Sequence, residues 1–171
     1  MIPGLQPDQA SQQALFYTAD SSQGVETINK VVGKTILSIL KSHNGILIQF
    51  NESIECLILL GGQVPVFGPP RPSASQPGQM EIALEGTRPV VAVSLLSRLV
   101  TIDPNVWKLW DVPEIKQLWG RMITGYSYEM KSCSDDEKRE FAIIELHGDM
   151  MLAVCHIFVV VLKRNQPIKP I

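Results

Sequence analysis

The stretch most informative about the fold is residues 46–62, which read ILIQFNESIECLILLGG. Two apolar runs, residues 46–50 and 54–60, are separated by the polar triplet Asn51-Glu52-Ser53 and end at a glycine pair. Runs this short fit two strands, or a strand and a short helix, equally well, because buried strands and short buried helices have the same apolar composition. The type of these elements therefore stays open at this point.

On the N-terminal side of this stretch, residues 25–42 predict an amphipathic helix. Apolar residues recur there at steps of three and four, which is the spacing of one helical face. These residues are Val25, Ile28, Val32, Ile36, Ile39 and Leu40. Asn44-Gly45 is expected to end the helix, because both residues tolerate the left-handed conformation. Residues 15–18 fit a short strand.

On the C-terminal side, residues 63–79 read QVPVFGPPRPSASQPGQ and contain five prolines and two glycines. Proline lacks a backbone donor and fixes φ, so we expect a long exposed loop here rather than a helix or strand. Residues 68–72 favour an extended polyproline conformation. Alternation over residues 80–85 then predicts a half-buried strand, and residues 90–100 fit either type of element.

Two short helices are predicted further along the chain. Asp103-Pro104, and Asp111 with Pro113, each combine a capping carboxylate with a proline suited to the first helical turn. Trp107 and Trp110 are expected to lie on these helices.

The C-terminal third predicts a strand, a helix and a final strand. Residues 122–131 alternate as in a strand with one wet face. Ser134 and Glu137 have the spacing of a capping box, which predicts a helix to about residue 146. Residues 150–162 are a 13-residue apolar run, interpreted as a buried strand. Because these elements lack regular βαβ spacing, the predicted class is α+β, with a mainly antiparallel sheet and a few helices.

Composition favours a single globular domain. The 171 residues are 45% hydrophobic and 19% charged, which is typical of a folded chain large enough to bury a core. We expect a flexible N-terminal arm at residues 1–13, a globular domain at 14–165 and a short basic tail at 166–171. The net charge of -2 argues against a protein devoted to nucleic acid. The N-terminus lacks the pattern of a secretory signal, so secretion is not expected.

No enzyme, metal or cofactor signature emerges from the residues. Gly33-Lys34-Thr35 lacks the first glycine of a phosphate-binding loop. The three cysteines have no metal-ligand spacing. His43, His147 and His156 are scattered and interpreted as structural, although a hydrolase or transferase pocket around His43 or His147 stays open as an alternative. Glu52 and Glu55 are interpreted as solvated surface charges.

The feature that suggests a function is apolar material in the proline-rich loop. Val64, Val66 and Phe67 lie in a segment expected to be exposed and stiff, which loses little entropy on docking. The loop either inserts into a neighbouring subunit, touches a membrane, or folds back so that Phe67 packs on its own domain.

The order of features resembles the globular domain of rhabdovirus matrix proteins. The resemblance rests on three groups of short segments: residues 39–42, 59–62 and 64–66; residues 77–79 and 85–88; and residues 112–114, 125–130 and 135–137. It extends over residues 15–140. Residues 1–29 contain no Lys or Arg, and Pro69-Pro70-Arg71-Pro72 is not the budding motif PPxY, so the chain looks most like the small matrix proteins of plant-infecting rhabdoviruses.

The resemblance implies a viral structural protein that self-associates and links the nucleocapsid to the inner face of the envelope, condensing the ribonucleoprotein. Expected partners are further copies of the chain, the nucleocapsid protein and the membrane surface, with no sequence-specific nucleic acid. The expected location is the virion and the host cytoplasm. The alternative is a cellular adaptor that binds a single protein partner.

The candidate residues follow from this hypothesis. Self-association is assigned to Ile2, Leu5, Val64, Pro65, Val66, Phe67, Pro69 and Pro70. Membrane or nucleocapsid contact is assigned to Lys163, Arg164 and Lys169.

Overall fold

A computed structural model of the chain describes residues 5–6, 16–51, 54–97, 101–164 and 166. The strands are β1 (Leu5–Gln6), β2 (Tyr17–Thr18), β3 (Ile36–Ser42), β4 (Gly45–Phe50), β5 (Ile54–Phe67), β6 (Arg71–Pro72), β7 (Met80–Glu81), β8 (Leu84–Ser97), β9 (Thr101–Ile102), β10 (Lys108–Leu109), β11 (Ile123–Ser132), β12 (Lys138–Leu146), β13 (Met150–Val154) and β14 (Val159–Lys163). The helices within the described residues are α1 (Ser22–Asn29) and α2 (Pro113–Lys116). Strand accounts for 56% of the described residues and helix for 9%, which confirms the α+β class with a mainly antiparallel sheet while making it poor in helix.

Two antiparallel sheets form the body of the protein. One has the strand order β10-β3-β4-β5-β8-β2 and the other the order β11-β12-β13-β14. Inward-facing residues of both sheets, among them Ile48, Ile58, Ile144 and Leu152, belong to one buried cluster. Helix α1 contacts β8, β2 and β11 and contributes Ile28 to the same cluster. The two sheets therefore enclose a shared core, and burial of each such side chain stabilises the fold by roughly 1.5–3 kcal/mol.

The outer face of each sheet is also partly buried. On the six-stranded sheet, Leu47 and Leu96 pack with Trp107, and Ile102 lies against them. On the four-stranded sheet, the opposite face carries a separate buried cluster that includes Phe141.

The two apolar runs within residues 46–60, whose type the sequence left open, are both strands. β4 pairs with β5 in antiparallel register from Gly45 opposite Leu59 to Gln49 opposite Glu55. The short strand predicted at residues 15–18 is present as β2, and residues 90–97 belong to β8. Within the predicted arm, Leu5–Gln6 pair with Ile102 and Thr101. The rest of the arm, and the tail apart from residue 166, lie outside the described residues.

The predicted helix over residues 25–42 is wrong beyond its first third. Helix α1 ends at Asn29, and Gly33 has a φ of 91°, a left-handed conformation that a helix cannot contain. Residues 36–42 form β3, whose pairing with β4 is irregular between Ile36 and Ser38. This bulge places the buried residues Ile36 and Ile39 three positions apart, so a strand imitates helical spacing. Asn44 lies in the β3–β4 hairpin instead of ending a helix.

The prediction of the first short helix is also wrong. The second helix is present as α2, but its N-cap is Val112, which makes no side-chain capping bond, instead of the predicted Asp111. After Asp103 the chain makes a turn, in which the Asp103 carboxylate accepts the Asn105 N–H at 2.9 Å, and then forms β10. Trp107 and Trp110 consequently lie outside helices, and the Trp110 N–H donates to the Ile39 carbonyl at 2.8 Å.

The predicted helix from Ser134 is wrong because these residues form a hairpin. Asp136 has a φ of 63°, which suits a tight turn, and Ser132 of β11 pairs with Lys138 of β12. The strand predicted over residues 122–131 is confirmed as β11. The predicted final strand over residues 150–162 is in fact the β13–β14 hairpin, in which Val154 pairs with Val159.

Candidate interaction surface

Strands β5 and β8 continue beyond the six-stranded sheet as a two-stranded ribbon, defined here as residues 62–90. The β4 pairing with β5 reaches Leu59, and the β2 pairing with β8 reaches Ala92. Past these points β5 and β8 pair with each other, from Gly62 opposite Val90 to Phe67 opposite Leu84. The β6–β7 pair extends the hairpin further. The ribbon therefore projects from one end of the sandwich.

The prediction of a loop over residues 63–79 is wrong for residues 63–67, which belong to β5, and for residues 71–72, which form β6. Pro65 lies opposite Thr87 and Pro89 opposite Gln63, so both prolines occupy equivalent positions two residues apart in the ladder. Alternate backbone N–H groups of a two-stranded ribbon point away from the partner strand, so proline costs no ladder hydrogen bond at such positions. Prolines at these edges also discourage pairing with further strands.

A β-bulge marks the root of the ribbon. The register shifts between Leu59 and Gly62, where β5 gains one residue over β8. Gly61 has a φ of 78°, a left-handed conformation that residues with a side chain rarely adopt. One type of β-bulge has a glycine in this conformation. Bulges bend a strand pair, so the Gly61-Gly62 sequence sets the direction in which the ribbon leaves the body.

The end of the ribbon carries four large exposed apolar side chains, which we call the tip. They are Phe67 (58% exposed), Met80 (62%), Ile82 (58%) and Leu84 (61%). The prediction of a half-buried strand over residues 80–85 is wrong in its burial, because alternation reports a two-faced strand without showing that another layer covers one face. Val64 and Val66, on the ribbon itself, are half-buried, and Pro69 and Pro70 are exposed.

A polar network fixes the ribbon to the body. The Arg88 guanidinium donates to the Asp20 carboxylate at 2.6 Å and to the Glu140 carboxylate at 2.8 Å. The Tyr128 hydroxyl donates to the same Glu140 oxygen at 3.0 Å. The hydrogen bond to Asp20 raises the pKa of Arg88, and burial followed by the bond to Glu140 raises the pKa of Tyr128. β8 is thereby attached directly to the turn that precedes α1 and to β12, and through Glu140 to β11.

The remaining predicted contact residues lie elsewhere or outside the described residues. Lys163 and Arg164 are exposed at the end of β14, and Arg164 Nε is 3.7 Å from an Asp149 carboxylate oxygen. The described part of Leu5 is its backbone pairing in β1, and Ile2 and Lys169 lie outside the described residues. The structure thus places the ribbon and the basic residues on different sheets.

The residue types that could take part in catalysis or bind a metal are spread over the body of the protein. His43 and His147 are exposed in separate hairpin turns. All three cysteines are buried, and burial raises the pKa of the Cys56 thiol to about 12. Desolvation lowers the pKa of His156. Over the described ranges, no three His, Cys, Asp or Glu side chains are grouped so that they could hold a metal ion.

The interpretation of Glu55 as a solvated surface charge is wrong, because its side chain is buried. It is 1% exposed and accepts a hydrogen bond from the Gln49 side-chain amide at 2.9 Å, while the Ser38 hydroxyl donates to the Gln49 oxygen at 2.6 Å. This chain of side chains crosses three neighbouring strands on the outer face of the six-stranded sheet. A buried carboxylate requires such donors to offset its desolvation.

The comparisons with known proteins give no relative. Searches found no matching family model, no matching curated protein and no matching solved structure. As for membrane crossing, neither helix of the described residues has the length and apolar character of a transmembrane span.

Proposed function

We propose that the protein is a self-associating structural protein whose ribbon tip docks on a second copy of the chain. The single observation that carries the proposal is the tip, where four large apolar side chains are each more than half exposed on a projecting ribbon. Isolated exposed apolar residues are ordinary on a protein surface, but clustering of several at one protruding end is typical of a contact site.

The construction of the ribbon suits docking. Its strands are paired from Gly62 opposite Val90 to Phe67 opposite Leu84, with one register shift between Val66 and Phe67, and Arg88 binds the ribbon to Asp20 and Glu140. A pre-organised segment loses less conformational entropy on binding than a free loop does. Burial of the four tip side chains in a contact would release roughly 25 cal/mol for each Å² of apolar surface removed from water.

The resemblance to rhabdovirus matrix proteins supplies the setting of the proposal. In that setting the copies assemble between nucleocapsid and membrane, and Lys163 and Arg164 provide weak peripheral attraction to an anionic surface, about 1 kcal/mol each. The pairing of Arg164 with Asp149 reduces its share. The apolar tip, rather than the basic residues, is therefore proposed as the main source of association.

The test is the mass distribution of the purified full chain by light scattering over a range of protein concentrations. Wild type is expected to grow with concentration, and Phe67→Asp to shift the onset of growth at least tenfold upward, because a charge cannot be buried unpaired in an apolar contact. The matched control is Ile157→Asp, at a residue that is 56% exposed in the β13–β14 turn. This control should associate like wild type.

The same experiment distinguishes self-association from the two alternatives, a cellular adaptor and a membrane-binding protein. A wild-type protein that stays monomeric at all concentrations would overturn self-association and favour the adaptor. Growth that is equally lost in Phe67→Asp and Ile157→Asp would show a general effect of added charge and would remove the tip from the proposal. Sedimentation with anionic and neutral vesicles adds the membrane outcome, in which Phe67→Asp loses vesicle binding while protein association is unchanged.

A further inference from the structure

We propose that the tip of one copy docks on a specific surface of the next copy, the corner formed by Val32, Leu37 and Met122. This inference rests on the proposed self-association and deepens it by naming the receiving surface. Contact between two different surfaces is heterologous, so it generates an open chain or ring of subunits instead of a closed pair.

The corner is the place where the segment between α1 and β3 is hydrogen bonded to the start of β11. The Gly33 N–H donates to the Ile123 carbonyl at 2.7 Å, the Ile123 N–H to the Lys34 carbonyl at 2.9 Å, and the Ile36 N–H to the Arg121 carbonyl at 2.9 Å. These bonds hold Val32, Leu37 and Met122 on neighbouring backbone segments.

The three corner side chains are exposed although they are apolar. Val32 is 39% exposed, Leu37 50% and Met122 41%. Leu37 is at the bulge of β3, where the irregular register directs it out of the core. The corner thus presents three exposed apolar side chains on backbone segments that are hydrogen bonded to each other.

Charge complements the apolar match. Residues 30–37 and 119–123 contain Lys30, Lys34 and Arg121 but no Asp or Glu. Residues 67–85, which include the tip, contain Glu81, Glu85 and one cation, Arg71, which lies directly opposite Glu81. Lys30 and Arg121 therefore place positive charge beside the corner, whereas the tip segment has a formal charge of -1. Complementary charge at the margin of an apolar contact favours this pairing over contact between two tips, which would bring acidic groups together.

The position of the corner makes the contact intermolecular. Ile36 pairs with Phe50, and Gln49 with Glu55, so the corner is at the end of the six-stranded sheet where β5 begins. The ribbon leaves the same sheet from the other end of β5, beyond Leu59. Six strand residues at about 3.3 Å each separate the two ends by about 20 Å before the length of the ribbon is added. A tip cannot reach the corner of its own chain.

The test uses two variants that each destroy one side of the contact, Phe67→Asp in the tip and Met122→Asp in the corner. Each variant alone is expected to remain monomeric at concentrations where wild type grows. An equimolar mixture is expected to form dimers and stop there, because the intact tip of one variant fits the intact corner of the other. Analytical ultracentrifugation gives the masses, and urea unfolding shows that both variants are folded.

The outcomes separate this inference from the proposal on which it rests. Growth of Met122→Asp like wild type, with Phe67→Asp monomeric, would overturn the corner and leave tip-mediated association standing. Two folded monomeric variants that fail to form mixed dimers would also overturn the corner. Should Met122→Asp prove unfolded, Leu37→Asp takes its place with the same expectations. Monomeric wild type would overturn both proposals.

A charge reversal sharpens the assignment. Glu81→Lys is expected to weaken association about tenfold, and Lys30→Glu in the same chain to recover most of it, since the two changes restore opposite charges across the contact. Additive weakening by the two substitutions would contradict a contact between these surfaces.

Discussion

The two halves of the β5–β8 hairpin have the same backbone pairing and opposite surroundings. In the body half, Cys56, Ile58 and Val93 have no exposed surface. In the ribbon half, Phe67 and Leu84 face each other across the same ladder with more than half of their surface exposed. Both halves are antiparallel strands, so strand formation by itself does not determine whether an apolar side chain is buried.

The difference is the presence of a second layer. The body half lies opposite the four-stranded sheet, which shares its buried cluster, whereas the ribbon half has passed the last residues of its neighbours β4 and β2. Apolar side chains in the body half therefore stabilise the fold, whereas those of the tip are left exposed and are proposed to contact a second copy of the chain. If the boundary between the two roles lies at Gly61, substitutions on its two sides should differ in their effect on stability.

The largest difference is expected for the same substitution in each half. Ile58→Ala removes a fully buried side chain and is expected to lower the free energy of unfolding by about 2–5 kcal/mol, through lost burial and the cavity left behind. Ile82→Ala removes a side chain that is 58% exposed and is expected to change it by about 0.5 kcal/mol or less. Urea unfolding of both variants at a concentration below the onset of association measures the contrast. A similar cost for the two would mean that the tip packs on its own body.

A smaller effect is expected at the root of the ribbon. Gly61→Ala forces a side chain into a φ of 78° and is expected to cost about 1–2 kcal/mol. Space is not the cause, because the nearest atom to the added carbon would be the His156 carbonyl oxygen at 3.8 Å. The matched control is Gly78→Ala in the turn near the tip, where φ is 84° and the added carbon meets nothing within 4 Å.

The two glycine substitutions locate the boundary between the cooperative body and the ribbon. If the ribbon opens locally without unfolding the body, the cost of Gly78→Ala appears as faster amide exchange near the tip and not in global unfolding. Gly61→Ala should lower global stability, since its bulge adjoins residues paired in the sheet. Equal global costs would place the whole ribbon within the cooperative unit.

The sequence predicts β2 and β11 as strands, leaves the type of β4 and β5 open, and wrongly predicts helix where β3, β10 and β12 lie. Alternation over residues 122–131 marks β11 because one of its faces is wet. Helix is wrongly predicted over β3 because a bulge places the buried residues Ile36 and Ile39 three positions apart, as in a helix. Helix is wrongly predicted after Ser134 because the Ser134–Glu137 capping pattern starts a helix only when the same residues are not paired with another strand. Strands β11 and β13 on either side of β12 supply that competition, and a local pattern contains no information about them.

The candidate site is predictable only in part for a related reason. The prolines around Phe67 predict an exposed segment but leave open whether Phe67 packs on its own domain, and its 58% exposure argues against that packing. The tip residues Met80, Ile82 and Leu84 alternate like a half-buried strand, so their exposure depends on how far the hairpin extends beyond its neighbours. The corner joins residues about 85–90 positions apart in sequence, Val32 and Leu37 with Met122, and no sequence pattern connects them.

The smallest effect is expected in the network that fixes the ribbon to the body, and it depends on pH. Tyr128→Phe removes the hydrogen bond to Glu140 and is expected to cost about 1 kcal/mol near pH 8, where Arg88 continues to pair with Glu140. Burial raises the pKa of both Tyr126 and Tyr128 above the ordinary value of 10. The folded protein therefore holds these phenolic protons more tightly than the unfolded chain does.

Because the tyrosines bind their protons more tightly in the folded protein, their contribution to the free energy of unfolding is complete below about pH 10. It is lost as the pH rises further, because the unfolded chain releases the protons first. Wild type should lose stability between pH 10 and 11 by urea unfolding, and Tyr128→Phe should lose less over the same range, so the two curves converge. The double variant Tyr126→Phe/Tyr128→Phe should be flatter still. Parallel curves would mean that the tyrosines titrate alike in both states, and the ribbon would then depend on Arg88 and the strand pairing alone for its attachment to the body.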